Sequence, residues 1–266
     1  MMPPSARRPS RRISPAEAIA DDLRRGILAG EVTELPKLEE LIDTYGASKV
    51  IVRQACHILE TEGLVRVRRG NVGGSEVHVP GPANAAYVVG QVLEARQVRS
   101  SDVAAAVGRF EPLCAELCAE RKDRTRAVLP ALEAAQADLA DAIETGDGEA
   151  AAVASRRWHE ALVATCGNET IVVLLGTLEA VWSSHGTSAA AELTARGEPL
   201  SPKLSARVHA EHEAIQALIA AGDGPGAAAA AREHLRTARI HRSRDRDDVP
   251  VRAVTVRDEL FGWPGR

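Results

Sequence analysis

The chain is poor in aromatic residues: Phe, Trp and Tyr together make up 3% of its 266 residues. A core built mainly on aromatic rings is excluded, and the many alanines suit a helical protein. Long apolar runs are also lacking. No stretch reaches the roughly eighteen apolar residues that a membrane-spanning helix needs. The opening MMPPSARRPSRR has no apolar segment of the kind found in a secretory signal. The expectation is a cytoplasmic protein with no membrane partner. The four cysteines form neither a metal-type spacing nor a disulfide framework: Cys114 and Cys118 are four apart, while Cys56 and Cys166 stand alone. They are expected to be small buried residues in a reducing compartment. The phosphate-cradling P-loop, the dinucleotide fingerprint and the serine-nucleophile elbow are absent as well, which removes the commonest enzyme signatures.

What is present begins with GASKVIVRQACHILETEG, Gly46 to Gly63. Ser48 is a good helix N-cap, helical spacing follows, and Gly63 stands where a helix ends. Val52, Ala55 and Leu59 share the face expected to be buried, while Lys49, Val50, Arg53 and Gln54 share the opposite one. A short helix predicted over Leu38 to Thr44 precedes it across a turn containing Gly46. Two helices around such a turn, the second opening with basic and amide side chains, form the helix-turn-helix pattern that reads the DNA major groove. An ordinary helical hairpin with a solvated charged face would show the same spacing. Leu64 to Arg69 then alternates apolar and basic residues, Gly70 to Gly74 is turn-rich, and Glu76 to Val79 alternates again. This predicts a β-hairpin wing with Arg68 and Arg69 at its tip, and with Gly70 and Gly73 allowing close approach to a sugar-phosphate backbone.

Charge is less decisive. Residues 1–80 carry a net charge of +1 and the remainder −5, so the first part is only marginally basic. Its positive residues nevertheless fall on the motif, at Lys37, Lys49, Arg53, Arg66, Arg68 and Arg69. Non-specific DNA binding should be weak and salt-dependent, and useful affinity would need two copies. Residues 1–14 read as a disordered basic arm, acting either as a solubilising tail or as a DNA contact.

A boundary is expected near Pro80-Gly81-Pro82. Beyond it only helical periodicity appears, with candidate helices at 83–99, 102–121, 124–144, 148–166, 169–193, 201–221 and 226–242. Seven such helices predict an antiparallel bundle, so the fold class is mostly α with one small hairpin. Residues 244–266 resist assignment. Within the bundle His159, His212 and His234 lie on three different helices, each flanked by apolar residues. Convergent neutral imidazoles can hold Zn²⁺ or a similar ion, whereas dispersed histidines are more often surface or core residues. A three-histidine centre also resembles a hydrolytic metal site. Its candidate bases Glu160, Glu211 and Glu213, however, each adjoin a histidine on the same helix and should face elsewhere.

The segment from Ala16 to Gly30, then Leu35-Pro36, then SKVIVRQACHILETEGLVRVRRG, resembles the N-terminal domain of GntR-family bacterial transcription regulators over roughly residues 15–80. That resemblance implies a winged helix-turn-helix on which Lys37, Ser48, Lys49, Val50, Arg53, Gln54, Arg68, Arg69, Gly70 and Gly73 contact DNA. Two departures stand out: Glu39 occupies a position where arginine is typical, and Ser48-Lys49 replaces Ser-Arg. Residues 83–243 are similar to the FCD ligand-sensing domain of the FadR subfamily, in which D-x-x-x-H and two further histidines bind a divalent metal. His159, His212 and His234 match the histidines, but the aspartate position is Ser155. A further arginine usual before the Glu-Pro pair is replaced by Val107, with Arg109 nearby. The resemblance implies a homodimer on a pseudo-palindromic double-stranded operator, more often repressing than activating. A small effector, an organic acid or acyl compound, would sit near Ser155, Arg109 and His185, with Zn²⁺ or Ni²⁺ on the three histidines. A degenerate bundle without metal or effector is the alternative.

Overall fold

The computed structural model describes residues 13–67, 75–195, 201–242 and 249–253. The chain divides into two compact units, the first ending at Pro80 and the second beginning at Gly81. It is mostly helical, and its described strands form one two-stranded antiparallel sheet.

The first unit opens with α1 (Pro15–Leu28). The Ser14 hydroxyl accepts from the Glu17 amide at 3.1 Å and the Glu17 carboxylate accepts from the Ser14 amide at 2.9 Å. This reciprocal cap satisfies two helix-end donors. Helices α2 (Leu38–Tyr45) and α3 (Lys49–Thr61) follow. Between them Gly46 sits at φ 58°, a left-handed conformation that a side chain would strain. Ile19, Leu23 and Ile27 of α1 pack with Leu41 and with Val52, Ala55 and Leu59 of α3. Each large apolar side chain so buried contributes roughly 1.5–3 kcal/mol. Strand β1 (Val65–Val67) pairs antiparallel with β2 (Ser75–Val77), with Val65 opposite Val77. The second strand ends at Val77 rather than Val79. Arg68, Arg69, Gly70 and Gly73, expected at its tip, lie outside the described residues.

The second unit contains α4 (Pro82–Ala95), α5 (Ser100–Glu120), α6 (Arg124–Ala127), α7 (Leu129–Glu144), α8 (Gly148–Ala164), α9 (Glu169–Ala195), α10 (Pro202–Ala221) and α11 (Gly224–Arg242). The seven expected helices are eight among the described residues, because the stretch 124–144 breaks at Val128. Pro130 explains the break: it has no amide to donate, and its ring would clash with the carbonyl four residues earlier. Helix α4 stops at Ala95 rather than running to residue 99, since Gln97 takes φ 55°. Helix α11 starts at Gly224, two residues early, where the Asp223 carboxylate accepts from the Gly226 amide at 2.9 Å.

The main core gathers Val107, Cys114, Ala115 and Cys118 of α5 with Leu132, Trp158, Leu162, Ile215, Ile219 and Ala231. Small residues at Gly108, Ala227 and Ala231 let α5 and α11 lie close, with Gly108 facing Leu235. Cys114, Cys118 and Cys166 are buried free thiols and Cys56 is half-buried, as expected of small apolar residues. Burial holds the Cys118 thiol up at about 12, so it is not a nucleophile at neutral pH.

Residues 249–253, which the sequence left unassigned, form a strap. Val251 is buried beside Ala86, Val103, Ala180 and Val181, and its amide donates to the Val98 carbonyl at 2.9 Å. No helix among the described residues is long and apolar enough to cross a membrane.

Candidate functional site

In the first unit the exposed face of α3 is the feature of interest. Ser48 caps it, its hydroxyl accepting from the Ile51 amide at 3.4 Å. Lys49, Val50, Arg53 and Gln54 are all exposed, and Val50 is 74% exposed. An apolar side chain held in water at a helix start is costly unless something covers it. Lys37, also exposed, precedes α2. Two polar contacts brace the reading helix from behind. The Arg24 guanidinium donates in a fork to both oxygens of Glu62, at 2.8 and 2.6 Å, which ties α1 to the end of α3. The Tyr45 hydroxyl donates to Asp22 at 2.8 Å, tying α2 to α1. Burial, with Asp22 beside it, pushes the Tyr45 phenol up to about 12 and keeps it protonated as donor. The basic and amide residues thus stand on a helix whose end is tied to α1.

In the second unit the three histidines come together. His159 on α8, His212 on α10 and His234 on α11 are all buried, and each offers a ring nitrogen within 4.8 Å of the others. The His234 Nε2 lies 3.3 Å from the His212 Nε2 and 3.3 Å from the His159 Nε2. Trp158 stacks on His212, with ring centroids 4.0 Å apart and planes at 7°, and meets His159 edge-on. Burial, followed by the neighbouring histidines, holds His212 well below its ordinary value, and burial likewise lowers His234. Neutral imidazole is the form that binds metal.

Behind the histidines stand carboxyl groups. The His159 Nδ1–H donates to Glu111 Oε1 at 2.6 Å, and the His234 Nδ1–H donates to Glu211 Oε2 at 2.7 Å. Burial raises Glu111 to about 7 and pushes Glu179 well above its ordinary value. Glu179 on α9 and Glu111 on α5 act on each other through their charges, yet both Glu179 oxygens and Glu111 Oε2 are buried without a hydrogen-bond partner among the described residues. Arg207 lies 3.2 Å from Glu211, which continues the His234 chain outward.

The donor set fits a divalent cation. The His159 and His234 Nδ1 atoms both sit at hydrogen-bond distance from carboxyl groups while their Nε2 atoms face each other across 3.3 Å, so as neutral rings donating through Nδ1 they would turn lone pairs toward each other. His212 has one proton at most and leaves its buried Nδ1 without a partner, so it cannot satisfy both contacts. Zn–N bonds of about 2.0–2.1 Å at tetrahedral angles put ligand nitrogens about 3.3 Å apart. A cation among the three Nε2 atoms would therefore replace repulsion by coordination with little movement.

The remaining candidate residues lie in different surroundings. Arg109 is exposed, two helix positions from buried Glu111 and therefore turned to the opposite side of α5. His185 is buried rather than at an open pocket: its Nδ1–H donates to the Val181 carbonyl at 2.9 Å, and its Nε2 accepts from the Arg252 amide at 3.0 Å. It anchors the strap. Ser155 is half-buried one turn before His159, and among the described residues the group that could hold a cation consists of the three histidines. Glu211 does face away from its neighbour His212, as helix geometry requires, but it reaches across to His234 instead. Glu160 and Glu213 approach Arg156 and His209, each at 3.5 Å. A shallow groove of about 400 Å³ between α7 and α10 includes His209 and none of the three histidines.

Comparison with known proteins places both units. The family described as bacterial regulatory proteins, gntR family, matches residues 15–73, and the FCD domain matches residues 102–237, just over half the chain. No curated protein matches it. Among solved structures, Streptococcus agalactiae GntR is similar at 22% identity and a TM-score of 0.61, over 85% of this chain and 99% of that one. E. coli McbR/YncC aligns at 17% identity and a TM-score of 0.42, over 85% and 96%. Likeness at such identities speaks for the fold alone. Both domains are those of transcription regulators rather than enzymes. With a GntR helix-turn-helix followed by an FCD domain, the chain belongs to the gntR family of bacterial regulators and is a DNA-binding transcription regulator.

Proposed function

We propose that this regulator is a homodimeric repressor whose DNA affinity is set by a small organic acid bound in the FCD domain beside a divalent metal. His159, His212 and His234 would hold the metal, Zn²⁺ or Ni²⁺, which supplies a Lewis-acidic site for an effector carboxylate. The observation that carries the reading is the buried convergence of three Nε2 atoms, two of them on imidazoles braced by carboxylates. A metal-free bundle would be expected to close its centre with Leu and Ala. Here the centre holds three histidines, Glu111 and Glu179 instead, a costly set of polar groups to bury without use.

On the DNA side, Lys49, Val50, Arg53 and Gln54 would face base edges in the major groove, while Lys37 and the wing residues Arg68, Arg69, Gly70 and Gly73 would meet the backbone. Two copies would read a pseudo-palindromic operator. The effector acts only to the extent that it binds one arrangement of the two reading heads better than another. The test is operator binding by fluorescence anisotropy, with and without metal, across a panel of small carboxylic acids. A shift in DNA affinity by one acid class, lost in His212→Ala, is expected. Affinity indifferent to every acid and to metal removal would overturn the reading.

A further inference from the structure

Three neutral imidazoles bring no charge to a buried dication, and an imidazole is a ligand only when the correct nitrogen faces the ion. Both needs point behind the ring, to whatever the far nitrogen touches. In this chain the far nitrogens of His159 and His234 touch carboxylates from different helices. Glu111 of α5 accepts from His159 at 2.6 Å, and Glu211 of α10 accepts from His234 at 2.7 Å. Each contact places the ring proton on Nδ1 and leaves the Nε2 lone pair directed inward. His212 has no such brace: its Nδ1 is buried without a partner, and the ring is held by stacking on Trp158. The one hydroxyl near the site on α8, Ser155, is a poor ligand for a divalent ion.

We propose that Glu111 and Glu211 are positioning residues that fix the metal-binding tautomers of His159 and His234 and supply, from behind the rings, the negative charge that the ligand set lacks. The proposal rests on the metal reading above. It gives the site an internal asymmetry: two histidines are braced and polarised by carboxylates, while His212 is free to change tautomer. Glu211 is the more informative member, because it sits on the ligand helix α10 yet serves the histidine of α11, so the two helices are coupled through it.

The test uses the full chain and two readouts, Zn²⁺ affinity by competition with a chromophoric chelator and long-range ¹H–¹⁵N spectra of the histidines in the metal-free protein. Glu211 is partly exposed, so Glu211→Ala is expected to fold with wild-type helix content. Its Zn²⁺ affinity should fall roughly 10–100-fold, and the His234 signals should lose the Nδ1–H pattern. Glu211→Gln, whose amide oxygen still accepts from Nδ1–H, should keep the tautomer and lose less affinity. Glu111→Gln should act on His159 in the same way. Wild-type affinity and unchanged histidine spectra in Glu211→Ala would overturn the proposal. If the wild-type chain itself takes up no Zn²⁺, the metal reading fails, and a tautomer change in Glu211→Ala would still uphold the positioning role.

Discussion

Glu179 is the residue whose setting is least expected of a surface-loving carboxyl. Both its oxygens are buried without a hydrogen-bond partner among the described residues, and after burial the charge of Glu111 is the next cause of its shift. Its folded-state value lies well above the ordinary 4.5. The folded chain therefore keeps a proton that the unfolded chain releases above that pH. The stabilising contribution is complete below the unfolded value and is lost as pH rises toward the folded one. In the metal-free chain Glu111, raised to about 7 by burial, acts in the same direction; a bound dication would hold it ionised. His212, lowered by burial, acts in the opposite one, costing stability as pH falls below 6.5. Glu179→Gln keeps the shape and removes the titration. Denaturant midpoints of the metal-free variant should decline less than those of the wild type between about pH 5 and pH 8, each titrating group being worth at most about 1.4 kcal/mol per pH unit. Parallel profiles for the two proteins would mean that Glu179 is not held protonated. This carboxyl pair was illegible beforehand. Glu111 and Glu179 are 68 positions apart in the numbering, and only the packing of α5 and α9 buries both in one region.

At the scale of elements, the reading helix was the most legible part of the chain. Its cap at Ser48, its apolar positions at Val52, Ala55 and Leu59 and its preceding glycine turn are all local signals, and local spacing decides them. The break at Val128 was missed because helical periodicity continues across it, although Pro130 was in view. The partner of Glu211, His234, was hidden for a different reason. Adjacency along a helix tells where a side chain does not point, and it says nothing of which neighbouring helix receives it. The braces formed by Arg24–Glu62 and Tyr45–Asp22 were equally hidden, since they join separate helices. For α3 the expected outcome concerns specificity. Arg53→Ala should weaken operator binding by about 1–3 kcal/mol and relax preference at one operator position. An equal loss on all DNA sequences, measured by the same titration on scrambled duplexes, would make Arg53 a phosphate contact instead.

For the whole molecule, the chain divides into two compact units, the first with the exposed basic face of α3 and the second with the buried histidine cluster. The family matches follow that division, with the gntR region on the first unit and the FCD domain on the second. The central claim is that the second unit is a metal centre despite Ser155, and elemental analysis of the purified chain tests it most directly. About one equivalent of Zn²⁺ or Ni²⁺ per chain is expected, lost in His212→Ala while helix content stays unchanged. A wild-type chain that remains metal-free when offered either ion, or a His212→Ala variant that retains as much metal as the wild type, would contradict it.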